Sequence, residues 1–226
     1  MKMILICATP RSGSTTLQRI VNTIKDANIT GEKYGAIDNL LECYLKIKLT
    51  NELTIRSNNG SFLTAEEHEN KKIKPSWYNC YDFHKVRKNI KNTIISILTK
   101  NNSERVLGYR EVRWFGKLYL IDEFIELFPN SKIICNISDD LDRQSISSFW
   151  KEDKNSKQHL NNYNKQIIEY SERCNNAYLN YMKNLFDIKE VRKLFDFIEE
   201  ELDEEQYKFI IKNNYKDYNY KNGIVP

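Results

Sequence analysis

Met3-Ile4-Leu5-Ile6-Cys7-Ala8-Thr9-Pro10-Arg11-Ser12-Gly13-Ser14-Thr15-Thr16-Leu17 is the stretch on which the fold of this chain turns. Apolar residues run from Met3 to Ala8 and give way to small, polar and basic ones. They resume at helical spacing with Leu17, Ile20, Val21 and Ile24. The pattern predicts a buried strand, a loop, and a helix over about Ser14–Lys25. In that order the loop N–H groups and the helix N-terminus can cradle a phosphate-like anion. The loop is close to a Walker loop but departs from it twice: Ser14 stands where a Lys would follow Gly13, and Ala8 where the first Gly would be. It therefore reads as an anion loop not built for Mg-ATP in the ordinary way. Arg11 strengthens that reading, because a guanidinium can fork onto two oxygens of a phosphate or sulfate.

Working outward, Asn28-Ile29-Thr30 gives a short second strand that ends at Gly31-Glu32. Ile37, Leu40, Leu41, Tyr44 and Leu45 then mark one face of a second helix. From Thr50 to Ser76 the period is lost, with a turn at Asn58-Asn59-Gly60-Ser61 and a capping-box pattern at Thr64-Ala65-Glu66-Glu67. That region is either a solvated insertion or a lid over a cleft. Val86, Ile90, Ile94, Ile97 and Leu98 define a helix opened by Asp82. Arg105–Tyr109 is a third strand with Arg110-Glu111-Val112-Arg113-Trp114 at its end, and a helix carrying Leu118, Ile121, Ile125 and Phe128 stops at Pro129-Asn130. Lys132–Ile137 is a fourth strand. Ser138–Asp142 form a turn, and Arg143–Trp150 begin a helix. Beyond about Asn155 the chain reads as wholly helical. Its clearest stripe is Val191, Leu194, Phe195, Ile198 and Leu202, with Asp187 as N-cap and a polar, Tyr-rich tail from Asn213.

Apolar strands alternating with helices imply an α/β domain, a mostly parallel central sheet flanked by helices. The expected organisation is a single domain over 1–226, with an insertion or lid-like region at 50–104 and a helical C-terminal part at 155–226. Ligands of such sheets bind beyond the carboxyl ends of the strands. The site candidates are therefore Thr9–Thr16, Gly31-Glu32, Arg110–Arg113 and Ser138–Ser148. Glu32 is either a first-turn residue of the second helix or a carboxylate facing the loop that takes a proton from a hydroxyl. Arg110 and Arg113 are either surface charges or groups that neutralise charge on a leaving group, with Glu111 pairing one of them.

Composition narrows the partners. The balance of 35 basic and 31 acidic residues leaves a net charge of +4, too weak to argue for a nucleic-acid partner. Five scattered cysteines without a C-x-x-C pair argue against a zinc site and for a reduced, cytoplasmic setting. The first apolar run is too short for a signal segment or a span, so no membrane association is expected. His68, His84 and His159 lack a Ser or Cys partner at any suggestive spacing and read as exposed.

Thr9-Pro10-Arg11-Ser12-Gly13-Ser14-Thr15-Thr16-Leu17 resembles the 5′-phosphosulfate loop of sulfotransferases that use 3′-phosphoadenosine 5′-phosphosulfate. Gly31-Glu32 is similar to the Gly-Glu pair of the tyrosylprotein sulfotransferase branch, and Gly108-Tyr109-Arg110-Glu111 to the Gly-aromatic-Lys-Glu segment of related bacterial enzymes. Leu127-Phe128-Pro129-Asn130-Ser131-Lys132 resembles the run preceding the family's 3′-phosphate motif. The resemblance implies a P-loop nucleotide-kinase-like fold and sulfuryl transfer to a hydroxyl on a small molecule, sugar or peptide. No metal is implied. It makes Glu32 the base, and gives Arg11 and Arg110 the charge on the leaving oxygen. Arg11, Ser12, Gly13, Ser14, Thr15 and Thr16 would hold the 5′-phosphate. The family's 3′-phosphate Arg is Ser138 here, which leaves Arg143 and Ser147, four residues apart and so on one helix face, to hold that phosphate. Two alternatives stand beside this: a P-loop small-molecule or nucleotide kinase with Asp139 or Asp140 on Mg, and a nucleotide-binding protein without catalysis.

Overall fold

The computed structural model describes residues 1–52, 55–56, 62–63 and 82–213. The turn at Asn58–Ser61, the capping box at Thr64, His68, Cys80 and the tail after Asn213 lie outside the described residues. The chain divides into two compact units: Met1–Glu32, Leu98–Leu118 and Asn130–Pro226 in the first, Lys33–Ile97 and Tyr119–Pro129 in the second.

The first unit holds a five-stranded sheet of β1 (Lys2–Ala8), β2 (Ala27–Thr30), β5 (Val106–Glu111), β6 (Lys132–Ile137) and β7 (Ala177–Tyr181), in the order β2-β5-β1-β6-β7. Every pairing is parallel. β1 lies at the centre and is buried from Met3 to Ala8, which is why its sequence is apolar without alternation. One face of the sheet carries Ile4, Ile6, Ala8 and Ile134. They pack into one apolar core with Leu17, Ile20 and Val21 of α1 (Ser14–Val21), Val191, Leu194, Phe195 and Ile198 of α7 (Ile188–Ile198), and Tyr207 and Ile210 of α8 (Glu204–Lys212). Helix α6 (Ser156–Arg173) buries Leu160, Tyr163, Ile167 and Tyr170. Burial pushes the Tyr163 phenol well above its ordinary range, and Cys7 and Cys135, on the other face of the sheet, add to the shift. The strands approach so closely at Gly108 that a Cβ there would lie 2.0 Å from the Ile4 carbonyl oxygen.

The second unit comprises α2 (Ala36–Glu52), the short antiparallel pair β3 (Ile55–Arg56) and β4 (Phe62–Leu63), α3 (Phe83–Leu98) and α4 (Tyr119–Leu127). Lys48 of α2 reaches Glu126 and Glu123 of α4 at 2.7 and 3.1 Å, and Tyr44 donates to Glu126. Asp82 opens α3 as expected, accepting from the Lys85 N–H at 2.9 Å. Asp187 does the same for α7, accepting from the Lys189 N–H.

Three expectations are corrected. The chain beyond Asn155 is not wholly helical, because β7 lies within it. Of β7 only Asn180 is buried, and a half-exposed Ala-Tyr-Leu-Asn-Tyr strand at a sheet edge carries little apolar signal. Helix α1 ends at Val21 rather than Lys25. The Asn22 side chain leaves the helix to pair with the Ile29 backbone, donating to its oxygen at 2.8 Å and accepting from its N–H at 2.7 Å. The predicted helix from Arg143 to Trp150 is instead α5 (Leu141–Ser145), capped by Asp140, and a separate 3-10 segment, Ser148–Glu152.

Candidate active site

The sheet order places the loop after β1 between the ends of β5 and β6. Register aligns Cys7 with Glu111 and Ala8 with Asn136. The predicted post-strand segments thus share the carboxyl edge of one sheet, where the strand order reverses about β1. The loop itself is held from beneath. The Thr9 N–H donates to the Asn136 carbonyl at 3.0 Å. The Asn136 side-chain amide, fully buried, donates to the Ser12 carbonyl at 2.8 Å and to Ser12 Oγ at 2.9 Å, and its own Oδ1 accepts from Asn180 at 2.6 Å. Gln144 adds a donor to the Pro10 carbonyl at 2.7 Å. In this conformation both donors of Ser12 are engaged inside the loop, its hydroxyl and its N–H each reaching the Thr9 carbonyl.

Above this framework the chain turns sharply. Arg11 and Gly13 both have left-handed backbone, at φ 60° and 76°, and Gly13 tolerates this without a Cβ penalty. Gly13 is the N-cap of α1 and supplies no side-chain acceptor. The first backbone bond of the helix is the Leu17 N–H to the Gly13 carbonyl, so the Ser14 and Thr15 N–H groups have no carbonyl one turn back. They leave the positive end of the helix open to an anion.

Arg110 sits beside that end. Its Nη1 donates to Ser14 Oγ and Thr15 Oγ1, each at 3.1 Å, and its Nη2 lies 3.0 Å from Glu32 Oε1. One guanidinium thus bridges the helix hydroxyls and the carboxylate. Burial draws the Arg110 pKa below its ordinary value, opposed by the charges of Glu32 and Glu111. It stays cationic near neutrality all the same. Glu32 follows β2 and precedes a short 3-10 turn, Lys33–Gly35; it is not in α2, which begins at Ala36. Arg113 flanks it from the other side, with Nη2 on the Glu32 carbonyl at 3.1 Å and Nε 3.7 Å from Oε2. Glu111 pairs with Arg113, one of the two partners expected for it.

Arg143 also reaches the loop, donating from Nη2 to the Arg11 carbonyl at 3.0 Å and to the Met182 sulfur, with Asp140 3.6 Å from its Nε. Ser147 does not share a helix face with Arg143. α5 ends at Ser145, Ser147 is extended, and its hydroxyl donates to the Gln144 carbonyl at 2.8 Å. Ser138 is buried, accepting at Oγ from the Asp140 N–H and at its carbonyl from Asn164. Asp139 is ion-paired to Lys183 at 2.7 Å, and Asp140 caps α5. Both carboxylates are thus engaged within the fold. Among the described residues no three His, Cys, Asp or Glu side chains gather as a metal would require. No helix among them is long and apolar enough to cross a membrane.

Asn136 and Asn180 are absent from the sequence-derived candidates, whereas Gln144 falls within the candidate segment Ser138–Ser148. The available signal was a polar residue inside the apolar strand Lys132–Ile137.

A search of curated proteins finds no match. Among solved structures, the sulfotransferase domain from the Synechococcus PCC 7002 olefin synthase is 13% identical. It aligns over 91% of this chain and 76% of its own, with a TM-score of 0.52. The sulfotransferase domain from the curacin biosynthetic pathway is 15% identical over 90% of this chain and 75% of its own, with a TM-score of 0.47. The first of these likenesses concerns the fold alone. The family model described as "Sulfotransferase family" matches residues 3–204, and with that span the chain belongs to the sulfotransferase family.

Proposed function

We propose that this protein transfers a sulfuryl group from 3′-phosphoadenosine 5′-phosphosulfate to a hydroxyl acceptor, with Glu32 as general base. The observation that carries the reading is the Arg110 guanidinium, in contact with both the helix hydroxyls of the anion loop and the Glu32 carboxylate. A base and an anion site joined by one cation are what transfer between an anionic donor and a neutral hydroxyl requires.

The donor set fits such a nucleotide. The open N-terminus of α1, the hydroxyls of Ser14, Thr15 and Thr16, and the Arg110 and Arg11 guanidiniums suit an anionic 5′ end. Arg143, held against the loop at the Arg11 carbonyl, is the cation offered to a 3′-phosphate in place of the buried Ser138, with Ser147 beyond it. When bound, the donor supplies an activated sulfuryl group on a phosphate leaving group. The protein's part is positional and electrostatic. Arg110 holds Glu32 Oε1, leaving Oε2 to accept the proton of the acceptor hydroxyl. Arg110 and Arg11 counter the negative charge left on the bridging oxygen, an effect for which single donors are typically worth about 10²–10³ in rate. The acceptor class is a hydroxyl on a small molecule, sugar or peptide.

Calorimetric titration of the full chain with 3′-phosphoadenosine 5′-phosphate tests the donor. Binding is expected in the wild type and weakened at least tenfold in Arg11→Ala. No heat from folded wild type, with Arg11→Ala identical, would sink the reading. Glu32→Gln is expected to bind the nucleotide as wild type does while losing turnover. Turnover intact in that variant would remove Glu32 from the role of base.

A further inference from the structure

Glu111 is the last residue of β5 and is completely buried, yet it carries a carboxylate. Burying a charge is costly unless it is paired and hydrogen-bonded, so its contacts bear on its purpose. Oε1 accepts from the backbone N–H groups of Val112 and Arg113 and from Arg113 Nε, all at 2.9 Å, and Oε2 accepts from Arg113 Nη2 at 3.0 Å. The side chain thus closes the turn that leaves the strand and grips one whole edge of the Arg113 guanidinium in bidentate fashion. The next residue is pinned as well: the Trp114 N–H donates to the Tyr163 hydroxyl of α6 at 2.9 Å, and Trp114 is fully buried. An arginine whose side chain is about 43% exposed would ordinarily sample many rotamers; this one is fixed from below. What it holds is Glu32, through the carbonyl at 3.1 Å and opposite Oε2 at 3.7 Å.

We infer that Glu111 and Arg113 are positioning residues for Glu32: the buried carboxylate locks the guanidinium, and the locked guanidinium fixes the backbone and the free carboxylate oxygen of Glu32. The inference rests on the reading of Glu32 as base. It assigns Arg110 and Arg113 different work. Arg110 joins Glu32 to the anion loop, and Arg113 anchors Glu32 to β5. Oε2 faces Arg113 at a distance too long for a hydrogen bond, so the oxygen is oriented without being consumed.

The test joins a spectroscopic and a kinetic measurement on the full chain. The Arg113 Nε–H cross-peak in a proton–nitrogen spectrum, assigned by its loss in Arg113→Lys, is expected to be sharp and slow to exchange. It is expected to move to the position of exposed arginines in Glu111→Gln, a variant whose side-chain oxygen can still accept the two turn N–H groups. With 3′-phosphoadenosine 5′-phosphosulfate as donor and phenol, which stays protonated at neutral pH, as probe acceptor, Glu111→Gln and Arg113→Ala are each expected to lower turnover about tenfold. The double variant is expected to be no worse than Arg113→Ala, because Glu111 acts through Arg113. Calorimetric affinity for 3′-phosphoadenosine 5′-phosphate is expected to stay within twofold. Millimolar guanidinium, but not equimolar ammonium, is expected to restore part of the Arg113→Ala turnover. A cross-peak indifferent to Glu111→Gln overturns the inference, whatever the probe shows, and so do losses that add in the double variant. If Glu32→Gln abolishes turnover while Arg113→Ala leaves it intact, the positioning role falls and the base survives. If Glu32→Gln turns over normally, both fall, even with the spectrum as expected.

Discussion

Asn136→Ala removes the side chain that ties the anion loop to the sheet, and its cost can be worked from the contacts. Asn136 is fully buried and makes three side-chain bonds: to the Ser12 carbonyl, to Ser12 Oγ, and from Asn180. Ser12 Oγ keeps its bond to the Thr9 carbonyl after truncation. The Ser12 carbonyl and the Asn180 amide lose the bonds described here, and Asn180 is itself only 2% exposed. A buried polar group left unsatisfied costs about 1–3 kcal/mol, so the pair amounts to roughly 4 kcal/mol. With a urea dependence of about 2 kcal/mol per molar, the unfolding midpoint should fall by about 2 M, followed by far-UV circular dichroism. Asn136→Ala/Asn180→Ala should be less destabilised than the sum of the single variants, since the second truncation removes a group the first had stranded. Nucleotide affinity, measured well below the new midpoint, should drop at least tenfold because Ser12 adjoins the N-cap of α1. A midpoint shift below about 0.5 M would refute the account of Asn136 as the loop's anchor. So would full additivity in the double variant.

Arg110→Ala should lower turnover by about 10²–10³, with Arg110→Lys recovering a part, since an ammonium cannot span Ser14, Thr15 and Glu32 together; steady-state kinetics with the probe acceptor decides it. Burial alone would raise Glu200, but hydrogen bonds from Arg105 and Lys2 outweigh it and hold it below the ordinary carboxylate range. Its stabilisation is therefore complete above the unfolded-state value and lost as pH falls through the folded one, so Glu200→Gln should flatten the acid side of a stability-versus-pH curve. Burial pushes the Cys135 thiol up to about 12, with Cys174 adding to it, whereas Cys43 is exposed. A thiol reagent at pH 8 should therefore modify Cys43 within minutes in native protein and reach Cys135 only after unfolding, as read by peptide mass mapping.

Much of the candidate site is legible in the sequence alone. The break from apolar Met3–Ala8 to Thr9–Gly13 is local information, as is the return of helical spacing at Leu17. The ends of β2 and β5 announced Glu32 and Arg110–Arg113 in the same way. A parallel sheet then brings all such ends to one edge, so the candidates were collected without their contacts being known. The legible caps, Asp82 and Asp187, are likewise one-turn effects.

What stayed hidden is what depends on distance along the chain. Asn136 lies 124 residues from the Ser12 it holds, and nothing in the local pattern of Lys132–Ile137 points to that partner. Strand β7 exists because β6 offers it a parallel edge, not because Ala177–Tyr181 carries a strong strand signal of its own. The spacing of Arg143 and Ser147 suggested a shared face, but Asp140 starts α5 and the helix stops at Ser145, which separates them. By itself the sequence determined most of the strand and helix order as far as β6, the anion loop and the acidic and basic residues at the strand ends, because periodicity and caps are short-range. Only the tertiary structure decided which of those charges meet, with Arg110 on Glu32 and the loop hydroxyls, and Glu111 on Arg113. Pairing among like-charged alternatives is fixed by strand register and burial, and neither is written within a single window of the chain.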